Sequence, residues 1–454
     1  MSDSVSSAPD NLADAKRLYL DFDSFFASAE QHFNPDLRGK PVGVVPLDSP
    51  HTGCIAISRE AKARGLKSNV SIKEARQTVP DMIFVVARPD AYVRLHHRIL
   101  KVIEACLPIA KVRSIDELVC HLLPSQSETV IALAGRIKRA LADEFSSGLT
   151  CSIGVASTEL LAKIGAELTK PDGFNLLRTQ NLPGQLEHLK LTKLPGVSDG
   201  IEARLLAAGI RSFPDLWALD RKHLRALWGN VEGERFWNGL HGEHMERPET
   251  VKRMFGHSRM LPMDWRTPEK VHECARQLAL SAGRRLRRAG FRATKMTVGL
   301  REGRYSTGGR SAKGAKRWVR ELVFEPARDD HTLLEILSEA MTHCAREWRF
   351  KPRSVSVMVH GLVAEDAAQG DLFGPASSTS VSGRPRVSQA KREKLSDTLD
   401  LLRAAHGPAA ATIGPKVELP GGYLGAKIAF GRIPDLADFS EAQTEDGATH
   451  FCSA

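Results

Sequence analysis

Three acidic residues carry the most chemistry in this chain. Asp21 ends the short apolar run Arg-Leu-Tyr-Leu-Asp at 17–21, and Asp116-Glu117 interrupts a second apolar stretch at 109–122. Taken singly, each reads as an ordinary strand-end or turn acid. If the two strands are neighbours, their carboxylates converge at one sheet edge, where they would repel one another unless cations lay between them. Phosphoryl transfer from a nucleoside triphosphate needs two divalent cations about 3.5–4 Å apart. Magnesium takes hard oxygen ligands, a few from carboxylates and the rest from phosphates and water. The chemistry these residues point to is metal-assisted phosphoryl transfer, with an activated hydroxyl as nucleophile and pyrophosphate as leaving group.

The elements that must hold these acids form an α/β unit over about the first 175 residues. Strand patterns fall at 17–24, 83–86, 109–122 and 150–155. Ser127 reads as the cap of a helix through Phe145, with Ile131, Leu133, Ile137 and Leu141 on its apolar face; a second helix runs from Glu159 to Lys170 and stops at Pro171. Residues 178–244 are helical. Leu194-Pro195-Gly196-Val197 there fits a helix-hairpin-helix, whose amides could hold a DNA phosphate, and fits a plain helical turn equally well. Residues 253–362 read strand, helix, strand, strand, helix, strand, a split four-stranded sheet with helices on one face.

Length and composition set the frame. A chain of 454 residues is too long for one core, and about 150 residues per domain suggests about three. At 42% hydrophobic it can bury those cores. Seven scattered cysteines form no zinc spacing and no even disulfide framework, which suits free thiols in a reducing cytoplasm. The first 16 residues are polar, without a signal core, and no run approaches the ~20 apolar residues that span a bilayer. A soluble cytoplasmic protein without a membrane partner is expected.

Charge points to a polyanion. The net charge is +10, and residues 251–360 hold 24 Lys+Arg against 11 Asp+Glu, leaving 40 against 43 elsewhere. A basic field confined to one segment suits nucleic acid, although a merely solvated basic face is the plainer alternative. Arg284, Arg285, Arg287, Arg288, Arg310, Lys313, Lys316 and Arg317 crowd this segment. The open sheet face and its rim are where they are expected to form a phosphate track.

The motifs resemble those of the Y-family (translesion) DNA polymerases. Asp21-Phe22-Asp23-Ser24-Phe25-Phe26-Ala27-Ser28-Ala29-Glu30 resembles the family's first motif, and Ser114-Ile115-Asp116-Glu117 its second. Cys151-Ser152-Ile153-Gly154-Val155-Ala156, then Leu161 to Ala166 and Lys170-Pro171-Asp172-Gly173, resemble the third. The likeness covers about residues 17–362, with the motifs in the family's order.

The resemblance implies an α+β multidomain, right-handed polymerase. Palm (1–24 and 88–177), fingers (25–87), helical thumb (178–244), linker (245–252) and a βαββαβ little finger (253–362) would precede a tail (363–454) that its Ala, Gly, Pro and Ser content makes mostly flexible, with one modest helix near Gln389–Ala405. Asp21, Asp116, Glu117 and the Phe22 carbonyl would bind two Mg²⁺, with Mn²⁺ as a substitute. Phe26 would be the steric gate against a ribose 2′-hydroxyl. Phe25, Arg59, Lys62 and Lys170 would contact the nucleotide. The sequence departs from the family where Arg59 and Lys62 replace a tyrosine and an arginine that touch the triphosphate, so a bidentate fork becomes a point charge. It departs again at His121, where the family often has an aspartate.

Gln369-Gly370-Asp371-Leu372-Phe373 resembles the peptide by which bacterial polymerases grip the sliding clamp, Gln369 and Asp371 giving polar contacts and Leu372 and Phe373 the apolar anchor. Expected partners are primer-template DNA, deoxynucleoside triphosphates and the clamp, with the protein a monomer. A non-catalytic adaptor of the same family is the runner-up, and a nucleotide cyclase on a similar palm the third reading. Retention of all three acids favours the enzyme over the adaptor; the basic split-sheet segment and the clamp-like peptide argue against the cyclase.

Overall fold

The computed structural model describes residues 15–46, 52–248, 251–302, 316–347, 351–365 and 388–407, with single positions between 410 and 433. The chain divides between Pro248 and Glu249 into two compact units.

The first unit begins β1 (Arg17–Phe22), α1 (Phe25–Phe33), β2 (Val42–Val45), β3 (Ala56–Ile57), α2 (Arg59–Ala63), α3 (Ile72–Thr78), β4 (Ile83–Val86) and α4 (Pro89–Glu104). It continues β5 (Ile109–Val112), β6 (Glu117–His121), α5 (Pro124–Ser127), α6 (Val130–Glu144), β7 (Cys151–Ala156), α7 (Glu159–Leu168) and β8 (Phe174–Leu176). Four helices end it: α8 (Asp199–Ala207), α9 (Phe213–Trp217), α10 (Arg221–Trp228) and α11 (Glu232–Leu240).

β1 is buried along nearly its whole length, as an apolar central strand must be. It pairs antiparallel with β6 on one side and β7 on the other, in a sheet ordered β5-β6-β1-β7-β8. The stretch 109–122, which its sequence suggests is one interrupted strand, is two strands of a hairpin. Its turn is closed by the Arg113 and Ser114 amides, which donate to the Glu117 carbonyl at 2.8 and 3.1 Å.

α6 also starts later than expected. Pro124 opens α5 first, so Ser127 falls inside that turn, and its hydroxyl donates to the Ala15 and Leu123 carbonyls. The buried face of α6 is Val130, Leu133, Ala134, Ile137 and Leu141, while Ile131 is exposed.

α7 lies against β7 and β1 at backbone distance. A Cβ on Gly154 would lie 1.9 Å from the Ala162 carbonyl oxygen and 2.3 Å from the Ala166 nitrogen. Gly154→Ala should therefore force α7 off the sheet and cost about 3 kcal/mol or more, read as a lower urea midpoint.

β3, β2 and β4 make a separate small sheet with its own core of Val45, Ile57, Ala61, Ile72, Val79 and Phe84. In the helical part, Leu194–Val197 turns the chain into α8, with Gly196 at φ +96°. The element directly before it is a 3-10 turn, Leu191–Lys193, so the first arm of a helix-hairpin-helix is reduced to one turn.

The second unit runs β9 (Met254–Met260), α12 (Pro268–Arg288), β10 (Phe291–Arg301), β11 (Arg317–Ala327), α13 (Asp330–Glu347), β12 (Ser354–Ala364) and α14 (Gln389–His406). Its sheet is antiparallel throughout, ordered β11-β10-β12-β9, with α12 and α13 burying one face through Val271, Leu278, Leu286, Leu333 and Leu337. The βαββαβ expectation is met. α14 falls where a modest helix is expected in the tail, near Gln389–Ala405, and it is docked on this unit. No helix among the described residues is long and apolar enough to cross a membrane.

The arginines of α12 do not line the open sheet face. They occupy the last turns of a helix packed on the other face, where cations suit the helix dipole. Arg285 and Arg287 are buried; Arg285 donates to the Gly256 carbonyl at 2.9 Å, and Arg287 is taken up by Asp330 and Asp400 at 2.8 and 2.7 Å. Arg284 is half-buried and Arg288 exposed. Lys316 and Arg317 are exposed at the start of β11, whereas Arg310 and Lys313 lie outside the described residues. Residues on the open face that sequence reasoning missed are Lys295 and Arg301 of β10. They alternate with the buried Met296, Val298 and Leu300, and that alternation was the available signal.

Candidate active site

The three acids meet at one end of β1. Asp21 lies directly opposite Glu117 across the β1–β6 ladder, so their side chains share a face. The next rung ties Asp116 in: the Phe22 amide donates to the Asp116 carbonyl at 2.9 Å. Ser114 braces the pair from the hairpin turn, its hydroxyl donating to the Asp116 carboxylate.

Beyond Phe22 the chain reverses sharply. Ser24 has φ +52° and ψ +41°, a left-handed conformation uncommon for a residue with a side chain. Asp23 anchors this turn, accepting from the Thr150 and Ser152 hydroxyls at 2.9 Å each and from the Asp172 amide at 2.8 Å. The first motif contains Asp23 but does not disclose its role; its bonds show that it fastens β1, β7 and the 171–173 loop together.

Lysines face the carboxylates. Lys170 Nζ is 2.6 Å from both Asp21 and Glu167, and Lys163 Nζ donates to Glu117 at 2.5 Å and to the Tyr19 hydroxyl at 3.2 Å. Among the described residues no group of three or more acidic, His or Cys side chains is drawn together tightly enough to cage a metal ion. Two of the three acids are instead paired with ammonium groups. Burial pushes the Asp21 carboxyl up to about 8 despite Lys170, and burial also raises Asp116. Buried hard oxygen donors whose negative charge is this costly suit divalent cations in place of the lysines.

The other expected site residues divide. Lys62 is within electrostatic reach of Lys170, Asp23 and Asp21; burial, then the Lys170 charge, lower its pKa. Arg59 reaches Glu60 at 3.4 Å and the Ser147 carbonyl at 3.5 Å. His121 pairs in register with Arg17, four positions from the Asp21–Glu117 rung, about 13 Å along the strand, so it is no neighbour of the carboxylates. Phe25 and Phe26 open α1 directly after the turn, both buried. Gln369, Asp371, Leu372 and Phe373 lie outside the described residues.

Sequence reasoning missed the support beneath Phe26. Its ring packs on Tyr92 with centroids 4.9 Å apart. The Tyr92 hydroxyl donates to Glu30 at 2.6 Å, and Arg88 donates to the same fully buried carboxylate through Nε and Nη2, at 3.1 and 2.5 Å. Buried charges need such partners, so Glu30, Arg88 and Tyr92 hold one another and the ring above them. Glu30 closes the first motif, but its partners lie 58 and 62 residues away, which spacing alone does not reveal.

Comparison with known proteins agrees with this arrangement. Residues 20–167 match the impB/mucB/samB family, and residues 252–372 the impB/mucB/samB family C-terminal domain. DNA polymerase IV of Moorella thermoacetica is 32% identical over 377 residues, covering 80% of this chain and 89% of that protein. DNA polymerase IV 1 of Bacillus subtilis is 29% identical over 365 residues, covering 78% and 84%. Among solved structures, a Y-family DNA polymerase chimera, Dbh-Dpo4(243-245)-Dbh, superposes with a TM-score of 0.64 at 21% identity, covering 77% of this chain and 99% of that one. An insertion ternary complex of Dbh DNA polymerase gives 0.51 at 22% identity, with the same coverage. These structures speak to the fold; the family matches and the relatives speak to lineage. The chain belongs to the impB/mucB/samB family and is a DNA polymerase IV-like member of the Y-family, the DNA-directed DNA polymerases of translesion synthesis.

Proposed function

We propose that the chain extends primed DNA templates at low fidelity through two divalent cations, magnesium with manganese as a substitute, held by Asp21, Asp116, Glu117 and the Phe22 carbonyl. The observation that carries this is the β1–β6 register, which sets Asp21 opposite Glu117 with Asp116 fastened to the next rung. Bound there, the cations would supply a lowered pKa at the primer 3′-hydroxyl and charge neutralisation on the triphosphate.

The remaining roles fall to side chains. Lys170 and Lys62, already beside the carboxylates, are the cationic partners for the triphosphate, with Arg59 three residues before Lys62 on α2. Lys163 keeps Glu117 oriented. Phe25 and Phe26 lie under the sugar, Phe26 as the gate. The five-stranded sheet with α4, α6 and α7 is the palm (1–24 and 88–177), the small sheet with α1–α3 the fingers (25–87), and α8–α11 the thumb (178–244). Residues 245–252 are the linker and 253–362 the little finger. Lys295, Arg301, Lys316 and Arg317 on its open face and rim, joined by Arg310 and Lys313, track the template-primer phosphates. The proposal includes a monomer in the cytoplasm.

Primer extension tests the reading. With magnesium and all four deoxynucleotides, the full chain should elongate a primed template and continue past a damaged base; failure on the undamaged template removes the enzyme reading. The clamp peptide is tested separately. Deleting 369–373 should lower clamp-stimulated synthesis roughly tenfold or more and leave clamp-free synthesis unchanged, because a tether acts through local concentration. Equal loss of both rates would assign the peptide another role.

A further inference from the structure

α14 lies beyond residue 372, where the family match ends, and it is packed inside out. Its buried residues are Glu393, Ser396 and Arg403, while Leu395, Leu401 and Leu402 are 56%, 71% and 42% exposed. None of its buried residues is apolar. Its strongest ties run along one acidic stripe, Glu393, Asp397 and Asp400, at the i, i+4, i+7 spacing of a single helix face, beside the Ser396 hydroxyl, which accepts from the Asp330 amide at 3.0 Å, and Gln389, which donates to the Pro326 carbonyl at 3.1 Å.

Each acid of that stripe meets an arginine of the βαββαβ domain. Asp397 takes both terminal nitrogens of Arg328 at 2.7 and 2.9 Å. Glu393 takes both terminal nitrogens of Arg292, one at 2.8 Å. Asp400 accepts from Arg287 Nε at 2.7 Å. Forked pairing of guanidinium with two oxygens is also how arginine holds phosphate. The domain thus carries an arginine cluster where α12 leads into β10 and β11 into α13, and the carboxylates of α14 occupy it together with Asp330 and Glu365 of the domain itself.

A cover held this way is removable. Asp397 is 43% exposed, and the Arg328 and Arg292 side chains are 17% and 19% exposed, so salt and competing anions reach the pairs. An apolar interface would lack that sensitivity. We propose that α14 is a displaceable acidic cover on a phosphate-binding site formed by Arg287, Arg292 and Arg328, and that the DNA backbone takes the site when the helix leaves. The proposal rests on DNA being this protein's substrate, and DNA is the polyanion already at hand.

Hydrogen exchange and binding test it on the full-length chain. Amides of 389–406 should be protected at low salt and lose protection when primer-template DNA saturates the protein. The variant Glu393→Gln/Asp397→Asn/Asp400→Asn should bind that DNA roughly tenfold tighter, with a log affinity–log salt slope steeper by about two. Adding Arg292→Gln/Arg328→Gln should cancel the gain, and the same two changes alone should lower affinity much less, because in the covered chain they loosen the cover as well as remove DNA contacts. Unchanged protection with DNA bound overturns the proposal, as does unchanged affinity in the neutralised variant. Equal loss from the arginine changes in both backgrounds overturns it too. If the neutralised variant fails to fold, exchange in the unmodified chain decides alone. Primer extension is a separate readout, so a wrong cover and a wrong enzyme reading remain distinguishable.

Discussion

Asp116→Ala should abolish primer extension, lowering the rate at least about a thousandfold, roughly 4 kcal/mol of lost transition-state stabilisation. Primer-template affinity should stay within about twofold. The structural reason for that split is that Asp116 holds its neighbour through the backbone. The Phe22 amide donates to the Asp116 carbonyl, which the alanine variant keeps, so the β1–β6 junction survives. Only the buried carboxylate goes. Burial raises its pKa, which means the charged form is a burden on the fold when no cation is bound. Metal-free stability should therefore hold or rise slightly while activity disappears. Synthesis at near-normal rate in this variant would refute the metal assignment. Loss of activity together with a large drop in the urea midpoint would make Asp116 a structural residue.

Phe26→Ala should admit ribonucleotides, lowering the preference for deoxynucleotides on the order of a hundredfold, as expected when a rigid wall that rejects one hydroxyl is removed. The ring is well placed to be such a wall. It is packed on Tyr92, which Glu30 and Arg88 hold from beneath, so it has little freedom to yield to a bulkier sugar. The substitution also empties a core position that is 3% exposed, and should cost about 3–5 kcal/mol of stability. For that reason the readout is the ratio of kcat/KM for the two nucleotides. Both are measured on the same folded fraction, so lost protein cancels. An unchanged ratio would leave Phe26 as an ordinary core aromatic.

These two residues illustrate why much of the site is legible in the sequence. A short apolar run ending in an acid suits a buried strand that presents its carboxylate at the sheet edge, and Asp21 and Asp116-Glu117 both fit that description. The βαββαβ order is readable for a related reason. Apolar residues recur with a period near 3.6 along α12 and α13 and alternate along β10, and those periods follow from local geometry.

Other features are not readable there because long-range pairing decides them. The sequence alone determined which residues are acidic, basic or apolar, and hence which segments become strands or helices and where a phosphoryl-transfer centre could form. It could not say that 109–122 folds back as two strands, since a hairpin is settled by its cross-strand bonds. Nor could it say where the charges of α12 would go. Arg287 meets Asp400 across 113 residues, and Arg328 meets Asp397 across 69. Ion pairs of that separation leave no periodic trace, so only the tertiary structure turned an apparent DNA track into a helix-covered surface. A helix with its acidic stripe inward and three of its four leucines exposed contradicts the usual reading of amphipathic pattern, and it is stable here because the arginines that complement those acids lie on the packed domain beneath it.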